Sequence, residues 1–83
     1  MPAFVYLLRC GDGTLYTGVA KDVAARLRQH EAGKASRYTR AHLPVTLVWS
    51  RECASWGDAL REELRIKALS REEKERLIAG SAP

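Results

Sequence analysis

Gly11-Asp12-Gly13 interrupts an apolar N-terminal stretch, and no other feature constrains the fold as tightly. Phe4 to Cys10 and Leu15 to Val19 are rich in aromatic, β-branched and aliphatic residues, the composition of two strands folded back at a glycine turn. A two-residue Asp12-Gly13 turn pairs Arg9 with Tyr16 and puts Tyr6 on the opposite face. A three-residue loop with Gly13 left-handed pairs Leu8 with Tyr16 and Tyr6 with Gly18. The second register is preferred, because Gly18 has no side chain and leaves room for the Tyr6 ring. It predicts Tyr6, Leu8, Tyr16 and Gly18 on one face, with two phenols close together.

Eighty-three residues suit one domain, residues 1–83, with a modest core. A hydrophobic fraction of 46% beside 29% charged residues excludes a disordered chain. No apolar run is long enough to span a bilayer, and the N-terminus lacks the marks of a signal peptide. A cytosolic protein with no membrane partner is expected. Cys10 and Cys53 are isolated, so reduced, packed thiols are expected rather than a zinc site.

The net charge of +4 is unevenly placed. Residues 21–51 carry seven basic side chains and two acidic ones, whereas residues 52–83 carry six basic and seven acidic. An electropositive middle third favours a polyanion, most simply a nucleic-acid backbone, although plain solubility also accounts for it.

Asp22 suits an N-cap and Gly33 a C-terminal stop, which gives a helix over 23–32 with Val23 and Leu27 toward the core. Arg26 and His30 share a face of it and flank that apolar stripe. Residues 34–43 read as a loop or a short helical turn. Lys34, Arg37 and Arg40 recur at every third position around Tyr38, a spacing that suits phosphate contacts with a ring for a sugar or base. A solvated loop with Tyr38 packed on the core is the alternative. Pro44 to Arg51 is the third strand, with Val45, Leu47 and Trp49 alternating with Thr46, Val48 and Ser50.

Ser55 to Asp58 has the spacing of a helix N-terminal box, and the helix runs to about Leu69. Ala59, Leu60, Glu63, Leu64, Ile66 and Lys67 fall on one side of it. Glu63, in mid-stripe, needs a partner: Lys67 at i+4, an arginine or a metal. Ser70 to Glu73 is a capping box that opens a last helix to about Ala79, and Gly80 to Pro83 should fray. The fold class is α/β in the broad sense (α+β): a three-stranded antiparallel sheet flanked by about three helices, in the order β-β-α-β-α-α.

Tyr6, Tyr16, Arg26, His30 and Glu63 together resemble the GIY-YIG nuclease superfamily. Phe4-Val5-Tyr6 matches its first tyrosine motif and Tyr16-Thr17-Gly18 the second, followed by Arg26, His30 and an acidic residue, Glu63, on a later helix. Leu8-Arg9-Cys10, Gly33-Lys34 through Tyr38-Thr39-Arg40 and Glu63 through Ile66-Lys67 extend the likeness over residues 4 to about 78, in the small stand-alone branch. Phe4 and Thr17 depart from the usual glycine and isoleucine, and neither change removes a reactive group. The resemblance implies metal-dependent hydrolysis of a nucleic-acid phosphodiester, in DNA ahead of RNA. Glu63 would hold a single Mg²⁺ or Mn²⁺ and Arg26 would grip the scissile phosphate. A phenol ionises near pH 10, so a tyrosine base needs its pKa lowered, by metal, by Arg26 and by the second phenol. His30, with an ordinary pKa near 6.5, needs no such help.

Eighty-three residues leave no room for an attached DNA-binding domain, so specificity is expected to be structural (ends, flaps, branches, damage) or to come from a partner protein. The alternatives are a non-catalytic nucleic-acid-binding module on the same fold and a structural domain in which Glu63 merely pairs with Lys67.

Overall fold

The computed structural model describes residues 1–80. The chain runs β1 (Ala3–Cys10), β2 (Leu15–Ala20), α1 (Val23–Glu31), α2 (Arg37–Ala41), β3 (Val45–Cys53), α3 (Trp56–Lys67) and α4 (Arg71–Ile78). The strands form one antiparallel sheet in the order β2-β1-β3. No helix among the described residues is long and apolar enough to cross a membrane. Of Gly80 to Pro83, expected to fray, Gly80 instead closes α4, donating its N–H to the Leu77 carbonyl at 3.1 Å with φ 72°, and residues 81–83 lie outside the described residues.

The hairpin takes the three-residue loop. Gly13 N–H donates to the Cys10 carbonyl at 2.9 Å, Cys10 N–H donates to the Thr14 carbonyl at 2.8 Å, and Gly13 sits at φ 86°. Leu8 therefore faces Tyr16, and Tyr6 faces Gly18. The space left by Gly18 is used: a Cβ there would lie 2.5 Å from the Tyr6 Oη.

Strand β1 is central, with helices over both faces, which explains its unbroken apolar run. On one face Tyr6, Leu8, Cys10, Ala20 and Val45 pack with Tyr16, Val23, Leu27 and Leu47, beneath α1. On the other, Val5 and Leu7 pack with Ile66 of α3 and Leu77 of α4. Each fully buried aliphatic side chain there contributes about 1.5–3 kcal/mol.

Three local expectations change. Residues 37–41 are a true helix, capped by the Ser36 side chain, so four helices flank the sheet. Strand β3 carries a bulge: Leu7 faces Trp49 but Leu8 faces Leu47, so Val48 has no partner. The extra residue reverses the alternation, sending Leu47 to the α1 face while Val48 and Trp49 go to the α3 face. In α3, Ala59 and Ile66 form the buried line, and Leu60 and Leu64 are exposed. Ala59 lets the helix approach the sheet closely, which rotates Leu60 and Leu64 outward beside Trp56.

Candidate active site

His30 is the centre of the site. Its side chain is fully buried under α1 instead of flanking the apolar stripe. The Tyr6 Oη lies 2.8 Å from His30 Nε2, and His30 Nδ1 lies 2.8 Å from the Thr39 Oγ1. The Thr39 hydroxyl also lies 3.3 Å from the Ser36 carbonyl, which can only accept. One hydroxyl proton cannot serve two acceptors. Thr39 therefore donates to Ser36 and accepts from His30 Nδ1–H, leaving Nε2 to accept from the Tyr6 hydroxyl. The relay has one direction: Tyr6 O–H to His30, His30 N–H to Thr39, Thr39 O–H to the backbone.

Burial, then the nearby Arg26 charge, pulls the His30 pKa below its usual value, so the imidazole is neutral at pH 7. The Tyr6 phenol is pushed above its ordinary range, chiefly by burial and next by Tyr16; Arg26 pulls it down and Glu63 pushes it up. The second phenol thus opposes ionisation of the first, contrary to the expected mutual lowering. A neighbouring group that itself ionises to an anion adds like-charge repulsion. Arg26 and Glu63 thus bear on Tyr6 with opposite sign.

Tyr16 meets the His30 ring edge-on at 5.2 Å between centroids and stacks with Tyr38 at 6.2 Å. Tyr38 in turn stacks on His42 at 4.3 Å and donates its hydroxyl to Thr14 at 2.6 Å. It is exposed rather than packed on the core, but His42 already covers part of its ring. Lys34, Arg37 and Arg40 line one concavity of about 220 Å³ at the start of α2. Arg26 has no carboxylate partner among the described residues and lines a cleft with Lys21, Gln29 and Trp56.

Glu63 projects from the half-buried side of α3, and Lys67 Nζ lies 3.3 Å from one of its oxygens. Among the described residues no three His, Cys, Asp or Glu side chains form a group that could hold a metal. One carboxylate with an exposed lysine beside it still suits a hard divalent ion. Such an ion commonly takes one or two carboxylates and fills its sphere with waters and phosphate oxygens.

The structure thus brings Tyr6, Tyr16 and His30 into contact, leaves Arg26 and Glu63 acting on Tyr6 only through their charge, and sets Lys34, Arg37 and Arg40 around one concavity. Sequence reasoning missed Thr39 as the acceptor that orients His30. Its place in Ser36-x-x-Thr39, a capping spacing, marks the start of a helix but not the contact with His30.

A three-stranded sheet with helices on both faces, and two tyrosines converging on a helical histidine, define a GIY-YIG catalytic domain. The model of that domain matches residues 2–76, and the chain belongs to this family of nuclease-type hydrolases. It is 48% identical over 77 residues to a UPF0213 protein of Cronobacter sakazakii, spanning 93% of this chain and 81% of that protein. A UPF0213 protein of Streptococcus sanguinis is 50% identical over 72 residues, 87% of this chain and 83% of the relative. The solution structure of the UPF0213 protein BH0048 from Bacillus halodurans superposes with a TM-score of 0.61 at 42% identity, covering 95% and 84% of the two chains.

Proposed function

We propose that this protein is a metal-dependent endonuclease of the cytosol. It hydrolyses phosphodiester bonds in DNA ahead of RNA, and it is directed by substrate structure or damage with little sequence specificity. The observation that carries this reading is the one-way Tyr6–His30–Thr39 relay, held in the field of Arg26 and Glu63. A phenol whose proton is already committed to a neutral imidazole keeps its oxygen lone pairs for a second donor. Water attacking phosphorus gives its proton to the Tyr6 oxygen as the phenol proton passes to His30 Nε2. The P–O bond to the leaving oxygen breaks, and that oxygen takes a proton from solvent. Arg26 offers a forked guanidinium to the phosphate and lowers the cost of any negative charge on Tyr6. A Mg²⁺ or Mn²⁺ ion at Glu63, when bound, supplies charge neutralisation at the phosphate and leaving oxygen. Specificity beyond substrate shape belongs to a partner protein, since the cations gathered at α2 suit backbone contacts and not base reading.

The Glu63–Lys67 pair favours a second reading, in which Glu63 is satisfied without metal and the domain only binds nucleic acid. A cleavage assay on single-stranded, duplex, flapped and branched DNA with Mg²⁺ or Mn²⁺ separates the two. The nuclease reading expects metal-dependent cutting that falls at least about 100-fold in Glu63→Gln and in Arg26→Ala, with melting temperature little changed. Binding without cutting, the same in wild type and Glu63→Gln, would leave the binding module.

A further inference from the structure

Trp56 stands at the first turn of α3 with 40% of its surface exposed, and it walls the cleft that Arg26 enters. The cleft lies between the starts of α1 and α3 and measures about 290 Å³; Ala20, Lys21, Asp22, Ala25 and Gln29 complete it. Lys21 and Arg26 have no carboxylate partner among the described residues. The one acid in the cleft, Asp22, has an oxygen committed to the Ala25 N–H, capping α1. The cleft therefore sets an open indole beside two cations that form no ion pair among the described residues, one capping carboxylate and a side-chain amide, a lining of net charge +1. That combination is complementary to a flat π-system carrying a phosphate.

We propose that this cleft is a stacking site for one unpaired nucleotide adjoining the scissile phosphate, with Trp56 as the platform. The placement of that phosphate at Arg26 rests on the proposed nuclease reading. A cleft of this size has room for one nucleotide. A base reaches Trp56 only if it is already unstacked or is extruded, which costs a few-fold to many-fold in affinity at an internal paired position. Single strands, flaps and frayed ends are thus favoured over intact duplex by the architecture of the cleft, not by base reading. Trp56 also heads an exposed line with Leu60 and Leu64, which could serve a protein partner. Of these three only Trp56 enters the cationic cleft, and this favours the nucleotide.

The test is a titration of the whole protein with short oligo(dT), without metal, followed at the two indole N–H resonances by NMR. The Trp56 resonance is identified by its loss in Trp56→Tyr, and Trp49 serves as the internal control. The expected result is that the Trp56 signal shifts while that of Trp49 stays. Affinity for oligo(dT) drops roughly 5- to 150-fold in Trp56→Ala, recovers in Trp56→Tyr, and changes little for blunt duplex. An unmoved Trp56 signal, absent oligo(dT) binding, or unchanged affinity in Trp56→Ala overturns the proposal. So does a Trp56→Ala effect confined to self-association or protein binding. Trp56-dependent binding without cleavage of any DNA would sink the nuclease reading and leave the nucleotide site standing.

Discussion

Both ring nitrogens of His30 are engaged, and that fixes which of them carries the proton. Thr39 Oγ1, buried and 2.8 Å from Nδ1, is the group that decides it. Thr39→Val keeps the shape and removes the acceptor, leaving a buried N–H unsatisfied at a cost of about 1–3 kcal/mol. Nitrogen-15 shifts of the His30 ring should then show a mixture of tautomers. Cutting should fall about tenfold or more, and Thr39→Ser should restore both. A single Nδ1–H tautomer persisting in Thr39→Val would remove Thr39 from the relay. The pH dependence has a definite sign. His30 is harder to protonate in the fold than in the unfolded chain, so the unfolded state binds more protons as pH falls. Its contribution to stability is complete above about pH 6.5 and is lost as pH falls through the depressed folded value. Activity that needs the neutral imidazole fails on the same acid limb. At this scale the sequence was partly legible. Tyr6 opposite Gly18 follows from turn chemistry, a local matter. Thr39 does not, because its role comes from a contact with a residue on another helix that no spacing announces.

Helix α4 is held by a clip as well as by Leu77 and Ile78. Arg9 of the central strand donates to both Glu75 oxygens, at 2.9 and 2.7 Å, and Arg71 Nε donates to Glu75 at 3.0 Å. Arg71 also donates to the Gly13 carbonyl at 2.7 Å, tying the helix to the hairpin loop. These bonds, first that from Arg9 and then that from Arg71, hold the Glu75 carboxyl down at about 2, against 4.5 ordinarily. A folded value below the unfolded one gives stability that is present above about pH 4.5 and lost as pH falls toward 2. The protection factor of the Leu77 amide in α4, corrected for the intrinsic pH dependence of exchange, should fall across that window. Glu75→Gln should show the lowered protection already at neutral pH. Equal protection in wild type and Glu75→Gln would mean that Leu77 and Ile78 hold the helix alone. Helix ends were readable where a side chain caps the backbone, as at Asp22 and Ser70. The β3 bulge was not, and the five-residue α2 was readable only as one of two alternatives, a loop or a short helical turn. A bulge is set by the facing strand, and so short a helix carries no period of its own.

Taken whole, the molecule segregates most of its compensated charges from its uncompensated ones, with Lys74 of α4 an exception. Lys21, Arg26, Arg28, Lys34, Arg37 and Arg40 follow one another along the chain without a carboxylate partner among the described residues. Arg51, Arg61, Arg65, Lys67 and Arg71 each meet one. The uneven charge in the sequence foretold the basic stretch, but pairing decides how much of it acts at a distance. A cation already beside a carboxylate releases few counterions from a nucleic acid, whereas a free one releases nearly its full share. Removing Lys34, Arg37 and Arg40 together should therefore flatten the dependence of log affinity on log salt by roughly 2–3. The loss should be similar for unrelated sequences, because phosphate contacts carry no sequence information. Arg61→Ala with Arg65→Ala removes two positive charges from the other group and should leave the slope almost unchanged. Binding isotherms over a range of salt, on one single strand and one duplex, distinguish the cases. If the two sets of variants flatten the slope equally per charge removed, net charge alone governs binding, and the surface formed by α1 and α2 has no privileged role.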